Sequence, residues 1–114
     1  MGSAKDEMLQ EFARQSEAAS DLLSLLANPH RLRILCELLE GERSVSALES
    51  VVGLSQSALS QHLAKLREGN IVATRREAQT IHYSVADWRA ERVLEVLADI
   101  FCKPARDRRA AKGK

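Results

Sequence analysis

The fold is decided by the stretch from Val45 to Arg67, which reads VSALESVVGLSQSALSQHLAKLR. Within it, Ser46 and Glu49 stand three residues apart and fit a capping box at the start of a short helix. Gly53 suits the end of that helix, and Ser55 suits the N-cap of a second one. Two helices joined by so short a turn are the signature of a helix-turn-helix motif.

The second helix of the motif separates an apolar face from a polar one. Leu59, Leu63 and Leu66 recur at helical spacing and predict a core stripe. A polar face is typical of any solvated helix, but here amides and hydroxyls come first and bases follow. This division suits DNA, because amides and hydroxyls bind base edges whereas lysine and arginine contact phosphates. The residues predicted to contact DNA are Gln56, Ser57, Ser60, Gln61, His62, Lys65 and Arg67.

After Gly69 the hydrophobic period changes from helical to alternating. This change predicts two strands, Ile71–Arg76 and Gln79–Val85, joined by a turn at Glu77-Ala78. A basic hairpin beside a helix-turn-helix is well placed to lie along the DNA backbone. Four residues near its tip are therefore predicted to contact DNA: Arg75, Arg76, Gln79 and Thr80.

Helices are also predicted on both sides of this unit. One covers residues 6–26, and Asn28-Pro29 begins the next, since asparagine caps and proline suits the first helical position. Asp87 caps a last helix that reaches about Cys102. The predicted order is helix-helix-helix-helix-strand-strand-helix, a mainly α winged-helix fold with a small β-hairpin.

The last helix is apolar on more than one side. Its own domain can cover one face, and a second copy of the chain is the simplest cover for the other. The sequence therefore predicts a homodimer. The apolar residues concerned are Val93, Leu94, Val96, Leu97, Ile100 and Phe101.

Length and charge fit one small DNA-binding domain. The chain has 114 residues, with residues 1–102 predicted as the domain and residues 103–114 as a basic tail that we expect to be disordered. The net charge is only +1, but the tail carries six bases and one acid.

No apolar run approaches the ~20 residues of a membrane helix and no signal peptide is visible, so we expect a cytoplasmic protein. Neither a catalytic triad pattern nor a glycine-rich phosphate loop is present, so no enzyme is expected.

Several adjacent motifs resemble one known family. Residues 27–35, ANPHRLRIL, resemble the "L-x-x-P-x-R-L-x-I-L" signature of the ArsR family of bacterial repressors, and residues 54–67 resemble its recognition helix. Ile71-Val72 and Arg75-Arg76 are similar to the start of its wing, so the resemblance covers about residues 18–102. It implies a homodimer joined through the first and last helices, which binds an inverted repeat in operator DNA and is released by an inducer.

Many members of that family sense metals, but the ligands of their standard sites are missing here. The C-x-C pair of arsenic, cadmium and lead sensors is replaced by residues 44–49, SVSALE, and the last helix contains no histidine. His30, His62 and His82 are scattered over three predicted elements. No metal site and no cofactor are therefore predicted.

Two cysteines remain as sensor candidates, Cys36 and Cys102. A lone cysteine is often a small buried hydrophobe, and that interpretation stays open. The last helix of a winged-helix protein can pack over the helix of Cys36, which would make the two thiols neighbours. Arg33, like Lys103 and Arg106, favours a thiolate, whereas the nearby acids Glu37 and Glu40 oppose it. The sequence leaves the direction of the pKa shift open.

The segments around both cysteines resemble the persulfide- and sulfide-responsive subgroup of the ArsR family, called BigR-like or SqrR-like. The matches are residues 34–42, ILCELLEGE, and the Phe101-Cys102 pair. The resemblance implies that reactive sulfur species bridge Cys36 and Cys102 by a polysulfide or disulfide and so release DNA. Alternatives are general redox, haem or metal sensing by the same family. A different class is a winged-helix protein-interaction module without DNA binding.

Overall fold

A computed structural model of the chain describes residues 3–102. The predicted basic tail, residues 103–114, lies outside the described residues, as do Lys103 and Arg106 within it. The described elements are the helices α1 (Ala4–Arg14), α2 (Ser16–Leu26) and α3 (Pro29–Leu38), the strand β1 (Arg43–Ser44), the helices α4 (Val45–Val52) and α5 (Gln56–Glu68), the strands β2 (Val72–Glu77) and β3 (Thr80–Val85), and the helix α6 (Trp88–Phe101).

The winged-helix fold is confirmed, but its first predicted helix is wrong in one respect. Residues 6–26 form two helices, α1 and α2, which are separated at Gln15 with φ −96° and ψ 5°. The Ser16 hydroxyl donates to the Phe12 carbonyl at 3.0 Å. A serine that bonds back to the preceding turn bends a helix, and the periodicity of apolar residues did not reveal this local effect.

Side-chain caps set the other helix starts. The Asn28 side chain accepts hydrogen bonds from the N–H groups of His30 and Arg31, with Pro29 at the first position of α3. The predicted caps Ser55 and Asp87 are confirmed.

The predicted capping box at Ser46 is wrong, since α4 begins at Val45, two residues earlier than that box requires. The cap is Ser44, whose side chain accepts from the Ala47 N–H at 3.2 Å. The reason is the short strand β1, which was not predicted and which holds Ser44 extended next to β3, opposite His82.

The sheet has the strand order β1-β3-β2, with antiparallel pairing throughout. Glu77 pairs with Thr80, so the turn consists of Ala78 and Gln79 rather than Glu77 and Ala78 as predicted. Ala78 adopts a positive φ of 56°, a region that suits two-residue hairpin turns. Tyr83 on β3 turns inward and anchors the hairpin on the helical core.

The core lies where α3, α4, α5 and α6 meet the sheet. The predicted stripe of Leu59, Leu63 and Leu66 is fully buried there. On α6, Leu94 is buried, but the opposite face of this helix is exposed, with Val96 at 50% and Ile100 at 51%. The two apolar faces predicted for the last helix are thus confirmed. No helix among residues 3–102 is long and apolar enough to cross a membrane.

Candidate DNA interface and thiol cleft

The polar face of α5 lies open to solvent. Six of its seven predicted DNA-contacting residues are exposed: Gln56, Ser57, Ser60, Gln61, Lys65 and Arg67. Leu59, Leu63 and Leu66 fix the opposite face in the core, so the helix presents this set without freedom to rotate. An exposed helix of 13 residues with this polarity has the dimensions and donors to enter a major groove.

His62 is the seventh and differs from the others. It is half-buried, and its ring lies 5.5 Å from that of His30 on α3, at an angle of 41°. Burial lowers the pKa of His62, and the nearby Arg31 and His30 lower it further. His62 therefore joins α5 to α3 in addition to facing the predicted interface.

A polar groove of about 390 Å³ runs between α5 and the hairpin. It brings four of the predicted residues together, two from α5 and two from the hairpin tip. It also adds Ser46, which was predicted from the sequence only as a cap, and Ser44, for which the sequence predicted no role. Hydroxyl and amide groups of this kind bond phosphate oxygens and base edges. The groove is lined by Ser44, Val45, Ser46, Gln56, Ser60, Gln79, Thr80, Ile81 and Tyr83.

The two wing arginines have different surroundings. Arg75 forms a bidentate ion pair with Glu42, with Nε–Oε2 at 3.1 Å and Nη2–Oε1 at 2.7 Å, and its Nη2 lies 3.6 Å from Glu77. The hydrogen bond from Arg75 lowers the pKa of Glu42. Arg76 is exposed, and no carboxylate within residues 3–102 pairs with it. Glu42 was missed in the sequence, because no local signal links positions so far apart in the chain.

The two cysteines line one cleft between α3 and α6. Cys36 lies on α3 and Cys102 is the C-cap of α6, and both thiols are free and exposed. One side of the cleft is an apolar cavity of about 240 Å³, walled by Leu32, Leu94, Leu97, Ala98 and Phe101 as well as the cysteines. The other side is a wider groove of about 550 Å³, which also exposes Arg33, Glu37, Leu39 and Glu40.

The structure gives the direction in which the pKa of Cys36 is shifted, which the sequence left open. Although Cys36 is exposed, neighbouring atoms partly desolvate its thiol and raise its pKa, and the charges of Cys102 and Glu37 raise it further. The Arg33 guanidinium is directed towards α4, where its Nη2 donates to the backbone carbonyl of Val51 at 2.7 Å. Cys36 is therefore held mainly as the thiol at neutral pH.

Potential metal ligands are dispersed in the part of the chain described. Among residues 3–102, no three His, Cys, Asp or Glu side chains gather closely enough to hold a metal ion.

Comparisons with known proteins place the sequence among bacterial regulators. The family described as "Bacterial regulatory protein, arsR family" matches residues 28–74. The nodulation protein NolR of Rhizobium meliloti is 54% identical over 91 residues, covering 80% of this chain and 75% of NolR. The structure of reduced HlyU from Vibrio cholerae shares 47% identity with a TM-score of 0.78, covering 82% of this chain and 99% of HlyU. The transcriptional repressor BigR from Xylella fastidiosa shares 38% identity with a TM-score of 0.79, covering 83% of this chain and 97% of BigR.

Proposed function

Because the chain belongs to the ArsR family of bacterial regulatory proteins, we propose that it is a dithiol-switched repressor. As a member of that family it is a DNA-binding transcriptional regulator and not an enzyme, and such regulators bind operator DNA and typically dimerise. In the proposed switch, the reduced protein binds an inverted repeat, and a sulfur bridge between Cys36 and Cys102 releases it.

The observation that carries the proposal is the shared cleft of the two thiols. They come from distant parts of the sequence, yet both line the same cavity and groove between α3 and α6. The similarity to the reduced form of HlyU and to BigR supports the same conclusion, since these proteins carry related sequences on the same fold.

The proposed chemistry transfers sulfur from a persulfide. A cysteine thiol takes the outer sulfur of R–S–SH and becomes Cys–S–SH, while the donor leaves as R–SH. If one cysteine carries the added sulfur, attack by the other thiol gives a disulfide and H₂S. If both carry it, the product is a trisulfide and H₂S, so the electrons balance without a further oxidant. A longer bridge suits thiols whose Cα atoms exceed the ~7 Å reach of a disulfide.

The bridge acts on DNA binding through geometry. Two copies of α5 must enter major grooves ~34–36 Å apart on an inverted repeat. A bridge ties α3, which packs beneath the helix-turn-helix, to α6, whose exposed face is the predicted dimer contact. A change at this junction alters the spacing of the two recognition helices.

The test is an operator titration with intact-mass readout on the wild type, Cys36→Ser and Cys102→Ser. We expect all three reduced proteins to bind, and only the wild type to release DNA when a persulfide donor is added. Added sulfur mass in the released protein identifies a polysulfide, and loss of two hydrogens alone identifies a disulfide. Unchanged release by both variants would contradict the switch. Absence of salt-dependent binding to any palindromic duplex would instead favour a protein-interaction module.

A further inference from the structure

One face of α3 carries three contacts in successive turns. His30, Arg33 and Cys36 are spaced three residues apart and are therefore neighbours on the helix surface. His30 meets the recognition helix through His62, and Arg33 meets α4. Cys36 lines the thiol cleft. The proposed sensor thiol and the helix-turn-helix thus contact the same side of one helix.

The hydrogen bond from Arg33 to the Val51 carbonyl holds the end of α4, next to the turn of the helix-turn-helix. Val51 is the penultimate residue of α4, where the last carbonyls have no partner within the helix. A cation at the C-terminal end of a helix is also favoured by the helix dipole. Gly53 follows with a left-handed φ of 69°, and α5 begins at Gln56. The guanidinium therefore fixes the end of α4 directly before the turn that leads into α5.

Arg33 is also a wall of the thiol cleft. It lines the wider groove together with Cys36 and Cys102. We propose that Arg33 is the positioning residue that couples the thiol cleft to the helix-turn-helix, and that a bridge between the thiols weakens its bond to Val51. This inference rests on the proposed dithiol switch.

If the Arg33 guanidinium leaves Val51, it can bind other acceptors in the same cleft. Sulfur atoms added between the two cysteines occupy space beside Arg33. Glu37 and Glu40 line the same groove, and a carboxylate is a stronger acceptor for arginine than a peptide carbonyl. The apolar contacts of α3 in the core remain in both arrangements, since Ile34 and Leu35 are fully buried. The result is a small adjustment at the end of α4 rather than an unfolding of the motif.

The experiment compares Arg33→Met, which keeps an apolar stem, with Arg33→Lys, which keeps a charged donor. The control is Arg14→Met, which removes an exposed arginine of α1 whose ion-pair partner among residues 3–102 is Glu11, one turn earlier. For each protein, operator affinity is measured in the reduced state and after treatment with a persulfide donor. Intact mass shows whether Cys36 and Cys102 have bridged.

We expect Arg33→Met to bridge as the wild type does but to bind operator more weakly when reduced. The ratio of reduced to bridged affinity falls by about fivefold or more, which is the low end of coupling between sites. Arg33→Lys recovers part of this ratio, and Arg14→Met keeps the wild-type ratio. An unchanged ratio in Arg33→Met, while the wild type responds, overturns the role of Arg33 alone. A wild type that bridges without releasing DNA, or does not bridge, overturns both proposals.

Discussion

Arg31 holds the end of the preceding helix through the backbone of Leu25. Its Nε donates to the Leu25 carbonyl at 2.6 Å, and its Nη2 donates to the Ser24 carbonyl at 3.2 Å. The side chain is only 9% exposed. These carbonyls belong to the last turn of α2, where a helix leaves acceptors without internal partners. Arg31 thereby connects the end of α2 to the start of α3 and supplies donors to carbonyls at the helix end.

Arg31→Met should therefore destabilise the fold. The variant keeps the apolar stem but loses two charge-assisted hydrogen bonds to the end of α2, which we expect to cost about 1–3 kcal/mol in the free energy of unfolding. Urea denaturation followed by circular dichroism measures the loss. In Arg14→Met the same substitution breaks only an exposed pair and should cost less than about 0.5 kcal/mol. Equal losses in the two variants would contradict the role assigned to Arg31.

The parts of the fold that could be predicted from the sequence are those with local signals. The stripe of Leu59, Leu63 and Leu66 and the Asn28-Pro29 helix start follow from spacing and capping, which depend on residues close together in the chain. The alternation after Gly69 likewise predicted the hairpin, although its turn moved by one residue.

The parts that could not be predicted depend on tertiary contacts. Strand β1 forms because β3 lies beside it, and it moves the α4 cap from Ser46 to Ser44. The Arg75–Glu42 pair and the Arg33–Val51 bond join residues far apart in sequence. The shared cleft of Cys36 and Cys102 was expected from the packing of related folds, but the direction of the Cys36 pKa shift depends on burial that no linear pattern records.

The surroundings of the wing arginines predict unequal contributions to DNA binding. Arg76→Ala should weaken operator binding and reduce the slope of affinity against salt by about one unit, as expected for a lost phosphate contact. Arg75→Ala should have a smaller effect, because Glu42 and Glu77 already neutralise that charge. Binding isotherms at several salt concentrations measure both. If the salt slope changes more for Arg75→Ala than for Arg76→Ala, Arg75 must break its ion pair with Glu42 when the protein binds DNA.

Glu42→Gln provides the opposite test at the same ion pair. Removing this carboxylate charge frees Arg75 for a phosphate, so operator affinity should rise by a few fold at low salt and the gain should shrink as salt screens the field. The Glu40→Gln variant removes a nearby charge that pairs with Arg43 instead, and it should not reproduce the gain. A loss of affinity in Glu42→Gln would mean that the ion pair shapes the wing for binding.

His62 predicts a dependence of stability on acidity. Its folded pKa lies below the ordinary value of 6.5, chiefly because of burial and then because of the positive charges of Arg31 and His30. The unfolded chain therefore takes up a proton at a higher pH than the folded chain. The contribution of neutral His62 to the free energy of unfolding should be fully present above pH 6.5. It should decrease as the pH falls from 6.5 towards the lower pKa of the folded state. Thermal melts between pH 5 and 8 should show a shallower decrease for His62→Gln than for the wild type, and parallel curves would contradict the assignment.

The raised pKa of Cys36 predicts slow alkylation at neutral pH. In Cys102→Ser the only thiol is Cys36, where burial and Glu37 still disfavour the thiolate. Its reaction with iodoacetamide should therefore keep accelerating at pH values above the ordinary cysteine value of 9.0. Glu37→Gln in the same background should shift the profile to lower pH. A plateau near neutral pH in Cys102→Ser would contradict the environment described for Cys36.

Two exposed apolar stripes predict where the second copy of the chain packs. Val96 and Ile100 lie one turn apart on α6, and Met8 and Phe12 lie one turn apart on α1, with each side chain at least half exposed. Val96→Asp places a charge in the expected interface and should raise the dimer dissociation constant at least about tenfold, measured by sedimentation over a range of protein concentrations. Glu95→Gln, next to the stripe on the same helix, should leave the dimer intact.

Operator binding should follow the dimer in Val96→Asp. A dimer binds its second half-site at the high effective concentration set by the first, and a monomer loses this gain. We therefore expect the affinity of Val96→Asp for a full inverted repeat to drop towards the affinity that the wild type shows for a single half-site. Raising the protein concentration should restore full-site binding, because it restores the dimer. A variant that is monomeric yet binds the full repeat as tightly as the wild type would contradict recognition by paired copies of α5.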